Sequence, residues 1–250
     1  MPYHDHMSVI ELPETPSTNT WAKEHANELS HGDIVVTPCQ TAGRGQRGNT
    51  WEAEPGKNLT FSILLRPECI QPADQFLISE IVSLAVADTI ADALASAGHP
   101  LPVMVKWPND IYVSDHKIAG ILIEHSIYGQ NIGHTVAGIG LNVNQSRFIS
   151  DAPNPVSMAQ LARREFELSP IMHRIRDNVA TQLLNPNPKA THSRYHRLLW
   201  RNDGKEHPFA TPQGEHFSAS IAEVAPTGIL TLLVDGARRS FAFKEVSFTL

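Results

Sequence analysis

Residues 41–51 have the sequence TAGRGQRGNTW, which places three glycines and two arginines between two strand-like runs. Glycine permits backbone conformations and close approaches that other residues resist. Arginine presents a planar pair of donors that matches carboxylate or phosphate oxygens. We therefore predict that this segment, the glycine loop, wraps an anionic ligand.

The glycine spacing also fits the G-x-G-x-x-G fingerprint of dinucleotide-binding folds, through Gly43, Gly45 and Gly48. That fingerprint requires a helix to begin at the third glycine, so that its N-terminus faces the pyrophosphate. Here Trp51 and a second strand follow instead, and residues 56–58, GKN, lack the pattern of a P-loop. The sequence therefore favours neither a nicotinamide site nor a P-loop nucleotide site.

A second cation-bearing segment, KWPND, occupies residues 106–110. Lys106 ends a predicted strand in which the two-residue period sets it on the face opposite Val103 and Val105. Pro108 stiffens the following turn. Two interpretations stay open at this point: a surface lysine with a buried stem, or a fixed charge directed into a cleft.

Hydrophobic periodicity predicts the surrounding helices and strands. Residues 17–19, STN, are favourable capping residues and precede a helix that we expect to end at Gly32. Further strands are predicted over residues 33–37, 58–66, 103–106 and 136–144 and in a hairpin over 111–127, and helices over 76–97, 157–164, 171–184 and 189–200. We predict one main domain of helices and strands in residues 1–200, and a small all-strand barrel in residues 201–250.

The composition is that of an ordinary globular protein: of 250 residues, 41% are hydrophobic and 18% are charged, with a formal net charge of -6. A nucleic-acid binder would carry a broad basic surface. Cys39 and Cys69 have no metal-type spacing, and no apolar run approaches the length of a membrane span. We expect a cytoplasmic protein without nucleic-acid or membrane partners, whose thirteen histidines are ordinary surface or core residues.

Five segments, in this order, together resemble the biotin protein ligase family. They are STN at 17–19, QTAGRGQRGNTW at 40–51, KWPND at 106–110, KIAGILIE at 117–124 and GIGLNVN at 138–144. The resemblance covers nearly the whole chain. It implies an α+β fold: a catalytic domain with a mixed β-sheet flanked by helices, related to lipoate ligases and class II synthetases, followed by a small SH3-like C-terminal barrel.

The activity that the resemblance implies has two steps. Biotin reacts with ATP, accompanied by Mg²⁺, to give biotinyl-5′-AMP, and a lysine of a carboxylase's biotin carboxyl carrier domain then takes the biotinyl group. Because the first step brings two anions together, fixed cations must offset their repulsion. The resemblance assigns this catalytic role to Lys106, with Arg44 beside it.

The resemblance also implies a set of binding residues. Those expected to bind biotin are Ser17, Thr18, Asn19, Gln40, Arg44, Gly45, Gln46, Lys106 and Gly120, and those expected to bind ATP are Arg47, Trp51, Lys117 and Asn142. We also expect the glycine loop to become ordered when biotin or the adenylate binds, which would keep water from the reactive anhydride.

Two departures from the family pattern bear on function. Some members carry arginine where this chain has Gln46 and Asn49, so the loop is less basic here. Sixteen residues precede Ser17, too few for a helix-turn-helix domain, so we expect no repressor role. A ligase for lipoate or octanoate and a catalytically silent biotin-binding module remain as alternatives. The ligands of Mg²⁺ stay unassigned, and the chain is expected to be a monomer or a homodimer.

Overall fold

Two β-sheets organise the chain, of which the computed structural model describes residues 7–45, 50–149 and 154–249. The strands of the larger sheet are β1 (Val9–Glu11), β2 (Ile34–Val36), β3 (Leu59–Leu65), β4 (Val103–Lys106), β5 (Asp110–Val113), β6 (His116–Tyr128) and β7 (Asn131–Leu141). They lie in the order β1-β2-β3-β7-β6-β5-β4. Strands β1 and β2 are parallel and the other neighbouring pairs are antiparallel, so the sheet is mixed, as predicted.

Helix α2 (Phe76–Ser96) covers one face of this sheet. Most of its residues are buried, because strands lie on one side of it and two other helices, α4 (Leu168–Leu184) and α5 (Pro188–Arg197), lie on the other. The short helix α3 (Met158–Ala162) completes this layer. Helix α2 ends just before Gly98, which has φ +84°, so the predicted stop is confirmed.

Helix α1 (Thr18–Glu24) lies on the opposite face and packs Ala22 against Val35 and Val136. The expectation that this helix continues to Gly32 was wrong. The His25 ring stacks on Trp21 with 3.9 Å between centroids, and its Nδ1 atom lies 2.9 Å from the Trp21 carbonyl oxygen. A side chain thus caps this carbonyl near the helix end, and residues 25–28 form turns.

The C-terminal strands form a second, antiparallel sheet. They are β8 (His207–Ala210), β9 (His216–Val224), β10 (Leu230–Val234), β11 (Ala237–Phe241) and β12 (Ser247–Phe248), in the order β11-β10-β9-β8-β12. This confirms the predicted fold class. Trp107 donates a hydrogen bond from Nε1 to the Gly228 carbonyl oxygen at 3.0 Å, which joins the two sheets. Their buried apolar residues form one cluster, so the domain boundary at residue 200 stays a proposal.

None of the helices within the described ranges is long and apolar enough to cross a membrane. The main consequence of the architecture is that α1 covers only part of its face of the larger sheet. The uncovered part of that face forms the floor of a cavity.

Candidate active site

A cavity of about 660 Å³ lies between the start of α1, the glycine loop, the β4–β5 turn and the end of the C-terminal sheet. Eleven of the predicted site residues line it: Ser17, Thr18, Asn19, Gln40, Arg44, Gly45, Trp51, Lys106, Lys117, Gly120 and Asn142. Arg44 and Lys106, 62 residues apart in sequence, therefore face one shared space. The other two predicted residues, Gln46 and Arg47, lie outside the described residues.

The first turn of α1 builds one end of the cavity, here called the polar end and defined by Ser17, Thr18, Asn19 and Gln40. Ser17 is the N-cap, and its Oγ accepts a hydrogen bond from the Thr20 N–H at 3.4 Å. The Oε1 atom of Gln40 accepts one from the Thr18 N–H at 2.9 Å. The capping of a helix and the display of polar atoms to a ligand thus use the same residues.

Ser62, fully buried in β3, sets the orientation of the Asn19 side chain. Its Oγ lies 2.6 Å from Asn19 Oδ1 and 2.8 Å from Thr18 Oγ1. Since an amide oxygen only accepts, the single proton of Ser62 is donated to Asn19. Thr18 must then donate to Ser62 or to Gln40 Oε1, which lies 3.3 Å away. The polar end is therefore a connected network in the absence of a ligand.

Three glycines of the paired strands β6 and β7 form the floor. A Cβ atom at Gly138 would lie 2.1 Å from Asn19 Oδ1, and one at Gly140 would lie 2.4 Å from Trp51 Cε2. A Cβ at Gly120 would lie 3.0 Å from Trp51 Cζ3. The sequence predicted that a ligand or backbone approaches these glycines. In the structure the side chains of Asn19 and Trp51 occupy that space.

The two ends of the glycine loop meet at its base. The N–H of Trp51 donates to the Gly43 carbonyl oxygen at 3.0 Å, and Arg44 pairs with Thr50 as an isolated antiparallel bridge. The Arg44 guanidinium, about half exposed, donates to Thr20 Oγ1 at 2.8 Å and lies 3.7 Å from Glu124. Its charge is thus at the rim of the cavity, beside the polar end.

Lys106 defines the opposite end, here called the cationic end. The Lys106 Nζ atom lies 5.0 Å, 5.7 Å and 5.9 Å from the ring centroids of Tyr112, Trp200 and Phe248. It also donates to the Tyr112 hydroxyl at 3.2 Å. Burial, and secondarily the charge of Asp110, raises the pKa of Tyr112 well above its usual range, so that hydroxyl stays neutral. The predicted placement of Lys106 opposite Val103 and Val105 is confirmed.

Lys117 lies close to the glycine floor. Its Nζ atom would be 3.4 Å from a Cβ at Gly120 and is 5.8 Å from the Trp51 ring centroid. It forms an ion pair of 2.7 Å with Asp110, and both side chains remain about one quarter exposed. The carboxylate holds this ammonium group over the floor, between the two ends of the cavity.

Two buried polar atoms near Lys117 have no hydrogen-bond partner among the described residues. They are Trp51 Nε1 and Asn142 Oδ1. The amide of Asn142 is otherwise fixed, because its Nδ2 donates to the Val156 carbonyl oxygen at 3.2 Å. An unpaired buried donor and an unpaired buried acceptor in one cavity are unfavourable unless a ligand pairs with them.

Metal-binding side chains are sparse here. No group of three or more His, Cys, Asp or Glu residues within the described ranges has a metal-site arrangement. Of the carboxylates lining the cavity, Asp110 pairs with Lys117 and Glu52 accepts from Gln145 at 3.0 Å. These residues do not provide a side-chain site for Mg²⁺.

Comparison with known proteins identifies the family. The model of the biotin/lipoate A/B protein ligase family matches residues 11–142, which is more than half of the chain. The chain belongs to this family. The matched region contains both ends of the cavity and its glycine floor.

Similar proteins include ligases from several bacteria. The chain is 35% identical over 150 residues to the bifunctional ligase/repressor BirA of Salmonella typhimurium, covering 60% of this chain and 45% of that protein. It is 36% identical over 133 residues to the biotin--[acetyl-CoA-carboxylase] ligase of Paracoccus denitrificans, covering 53% of each. The chain thus spans about half the length of these curated relatives.

The fold is also found among solved structures of the family. The biotin protein ligase of Aquifex aeolicus, in complex with biotin and ATP, superposes with a TM-score of 0.79. The alignment covers 98% of this chain and 99% of that one at 22% identity. At this identity the similarity establishes the shared fold, including the C-terminal sheet.

Four residues near the site were not singled out by sequence reasoning. Ser62 and Glu124 support the polar end, and Trp200 and Phe248 surround Lys106. Ser62 interrupts an apolar strand, and Glu124 ends the KIAGILIE segment, so each carried a weak signal. Trp200 and Phe248 gave none, because Trp200 reaches Lys106 through backbone contacts with Val105 and Phe248 reaches it through packing of the second sheet.

Proposed function

We propose that the chain is an ATP-dependent biotin ligase that forms biotinyl-5′-AMP and transfers the biotinyl group to a protein lysine. One observation carries the proposal: three cations, Arg44, Lys106 and Lys117, line the same cavity as an uncharged hydrogen-bonding network. The uncharged network suits a neutral polar head group. The cations suit a carboxylate that meets a triphosphate.

The reaction balances as two substitutions. A carboxylate oxygen of biotin attacks the α-phosphorus of ATP, and the bond from that phosphorus to the pyrophosphate oxygen breaks. The acceptor amine then attacks the carbonyl carbon of the mixed anhydride, the bond to AMP breaks, and the amine loses a proton. Since the first step brings anions together, preorganised cations lower its barrier, and each typically contributes about 10²- to 10³-fold in rate.

The positions of the cations suggest a division of labour. Lys117, above the floor between the two ends, is the cation best placed for the junction of carboxylate and α-phosphate. Lys106, beyond it at the cationic end, suits the remaining phosphates. Arg44 at the rim would turn inward when an anion enters. We propose that Lys117 shares the central role that the sequence resemblance gives to Lys106, which remains a catalytic residue of the proposal.

The nucleotide contacts follow from the unpaired atoms. The indole N–H of Trp51 and the amide oxygen of Asn142 offer one donor and one acceptor beside Lys117. An adenine ring presents complementary acceptors and donors, and the Trp51 ring offers an aromatic face. We therefore assign both residues to ATP and the adenylate.

Biotin is favoured over lipoate or octanoate by the polar end. Ser17, Thr18, Asn19 and Gln40 place several donors and acceptors at one end of the cavity. A ureido head can pair with the donors and acceptors that this network leaves open, whereas a dithiolane ring or an alkyl chain would bury each of those without a partner, at a cost of about 1–3 kcal/mol each. A silent binding module is disfavoured because it has no use for three cations in the cavity.

The remaining expectations complete the proposal. Mg²⁺ would enter with the phosphates of ATP, which commonly bind it. The acceptor would be the biotin carboxyl carrier domain of a carboxylase, in the cytoplasm. A monomer and a homodimer remain alternatives.

The test is pyrophosphate release by the purified chain with ATP and, in separate reactions, biotin, lipoate or octanoate. Of the three acids, only biotin should drive release of pyrophosphate from ATP. Labelled biotin should then appear on a carrier domain. Release that depends on lipoate or octanoate would support a ligase for that acid instead. Biotin binding without any pyrophosphate release would support the silent module.

A further inference from the structure

The carboxylate of Glu124 lies where the polar end of the cavity meets the base of the glycine loop. Its Oε2 atom accepts a hydrogen bond from Asn19 Nδ2 at 3.0 Å and lies 3.7 Å from Arg44 Nη2. Its Oε1 atom pairs with Lys23 Nζ at 2.9 Å. One side chain thus contacts both a residue of the polar end and the described arginine of the loop.

The register of β6 explains this position. Leu122 pairs with Gly138 and Glu124 pairs with Val136, so both side chains follow Gly120 on the same face of the sheet. Leu122 lines the cavity, and Glu124 lies one step further along the strand, behind Asn19. Because Gly138 has no side chain, Asn19 can lie across the strands and reach Glu124.

Glu124 is one of two acceptors that fix the direction of the Asn19 amide, since Asn19 Nδ2 also donates to the Leu122 carbonyl oxygen at 3.1 Å. Burial alone would raise the pKa of Glu124, but hydrogen bonds from Lys23 and Asn19 and the charges of Lys23 and Arg44 together lower it. The group is therefore a carboxylate near neutral pH, with acceptors only. Asn19 must present its NH₂ group to Glu124 and its oxygen to Ser62.

We propose that Glu124 is a positioning residue that orients Asn19 for the head of the substrate and tethers Arg44 at the rim until an anionic substrate replaces the carboxylate. The proposal rests on the proposed function for the identity of that substrate. The tether itself is a property of the ligand-free protein. Glu124 does not touch the substrate, so its effects pass through Asn19 and Arg44.

A simpler explanation is that Glu124 forms a surface ion pair with Lys23. That pair is partly exposed, and such pairs contribute little. The two explanations differ in what they predict for Arg44 and for the affinity of biotin. Substitution of Lys23 alone separates them, because it leaves the Asn19 and Arg44 contacts in place.

The first arm measures the tether without any substrate. The variants are Glu124→Gln, Lys23→Gln and, as a matched control, Glu165→Gln, which removes an exposed partner of Lys57 far from the site. Trypsin must detach the Arg44 side chain before it cuts after this residue. We expect cleavage after Arg44, followed by mass spectrometry, to be up to about fivefold faster in Glu124→Gln alone, the range for an exposed ion pair. Equal rates in all proteins would overturn the tether.

The second arm measures pyrophosphate release. In Glu124→Ala, the KM for biotin should rise up to about tenfold with kcat within about twofold, because Asn19 keeps the Leu122 carbonyl oxygen but loses the second acceptor that orients it. In Glu124→Gln, the KM for biotin should stay close to that of the unsubstituted protein, since the Gln amide oxygen can still accept from Asn19. The resistance of Arg44 to trypsin should still be lost. An unchanged KM, or a fall in kcat alone, would contradict the orienting role.

The two arms separate the inference from the proposed function. If the unsubstituted chain releases no pyrophosphate with biotin, the proposed function fails, while the trypsin arm still decides the tether. If Glu124→Ala does not fold, Glu124→Leu, which keeps the volume and removes the acceptor, replaces it in the KM measurement, and the isosteric Glu124→Gln still decides the tether by its trypsin rate. Loss of both kcat and thermal stability in Glu124→Gln would mark a structural role and overturn the proposal.

Discussion

The two ends of the cavity differ in how their polar atoms are satisfied. At the polar end, Thr18, Asn19 and Ser62 are hydrogen-bonded to one another. Beside the cationic end, Trp51 and Asn142 supply two of the five buried side-chain polar atoms that lack a partner within the described ranges. Networks that are complete in the free protein are rigid, whereas unpaired buried atoms gain from a ligand. The polar end is thus preorganised to recognise a neutral head group, and the cationic end is suited to a charged, polar reactant.

The largest effect should come from Lys106 at the cationic end and from Lys117 beside it. Lys117→Ala and Lys106→Ala should each lower the rate of biotin-dependent pyrophosphate release by about 10²- to 10³-fold, because a fixed cation is removed from a reaction between anions. The exposed Lys57→Ala is the control. Near-normal rates in both cavity variants would remove the distinction between the ends.

A smaller and different effect is expected at the polar end. Asn19→Ala should raise the KM for biotin about 5- to 150-fold, corresponding to the loss of a buried hydrogen-bonding group, while kcat changes little. Asn202→Ala, in which the lost side chain bonds His196 away from the cavity, is the matched control. A fall in kcat as large as that of Lys117→Ala would contradict the difference in role between the polar end and the cations.

The aromatic rings around Lys106 test whether the C-terminal sheet contributes to the cationic end. Phe248→Leu should lower the rate of pyrophosphate release about 2- to 30-fold, the range for a cation–π contact. Phe217→Leu removes a ring from the same sheet that stacks on Phe209 and Phe241 instead. Equal effects of the two substitutions would indicate general damage to the sheet.

The smallest predicted effect concerns the unpaired indole. Trp51→Phe keeps an aromatic ring and removes the buried N–H, so the KM for ATP should rise about 2- to 12-fold while the thermal stability of the free protein is unchanged or higher. Differential scanning calorimetry and steady-state kinetics measure the two quantities. A less stable protein with an unchanged KM would mean that the N–H is paired within the protein.

The sequence predicted the elements whose signals are local. Strand β3 and helix α2 follow from apolar runs and from Gly98, and the side of β4 that carries Lys106 follows from simple alternation. The end of α1 was misplaced because the cap at His25 depends on a stacked ring, not on a glycine.

The candidate site was predictable in its residues and not in its contacts. The glycines of β7 were recognised as places of close approach, but Asn19 and Trp51, which approach them, are distant in sequence. Glu124 ends the KIAGILIE motif, but its contact with Asn19 was not predicted, because the two residues are also distant in sequence. Contacts of this kind depend on register and packing, which a single sequence does not encode locally.

The central claim is that one cavity binds the head group and stabilises the reacting anions through separate sets of residues. The most direct measurement compares Asn19→Ala with Lys117→Ala in two assays: calorimetric titration with biotin, and single-turnover adenylate formation at saturating biotin and ATP. We predict that Asn19→Ala loses affinity for biotin but keeps the rate, and that Lys117→Ala keeps most of the affinity but loses the rate. Parallel losses of affinity and rate in both variants would contradict the account.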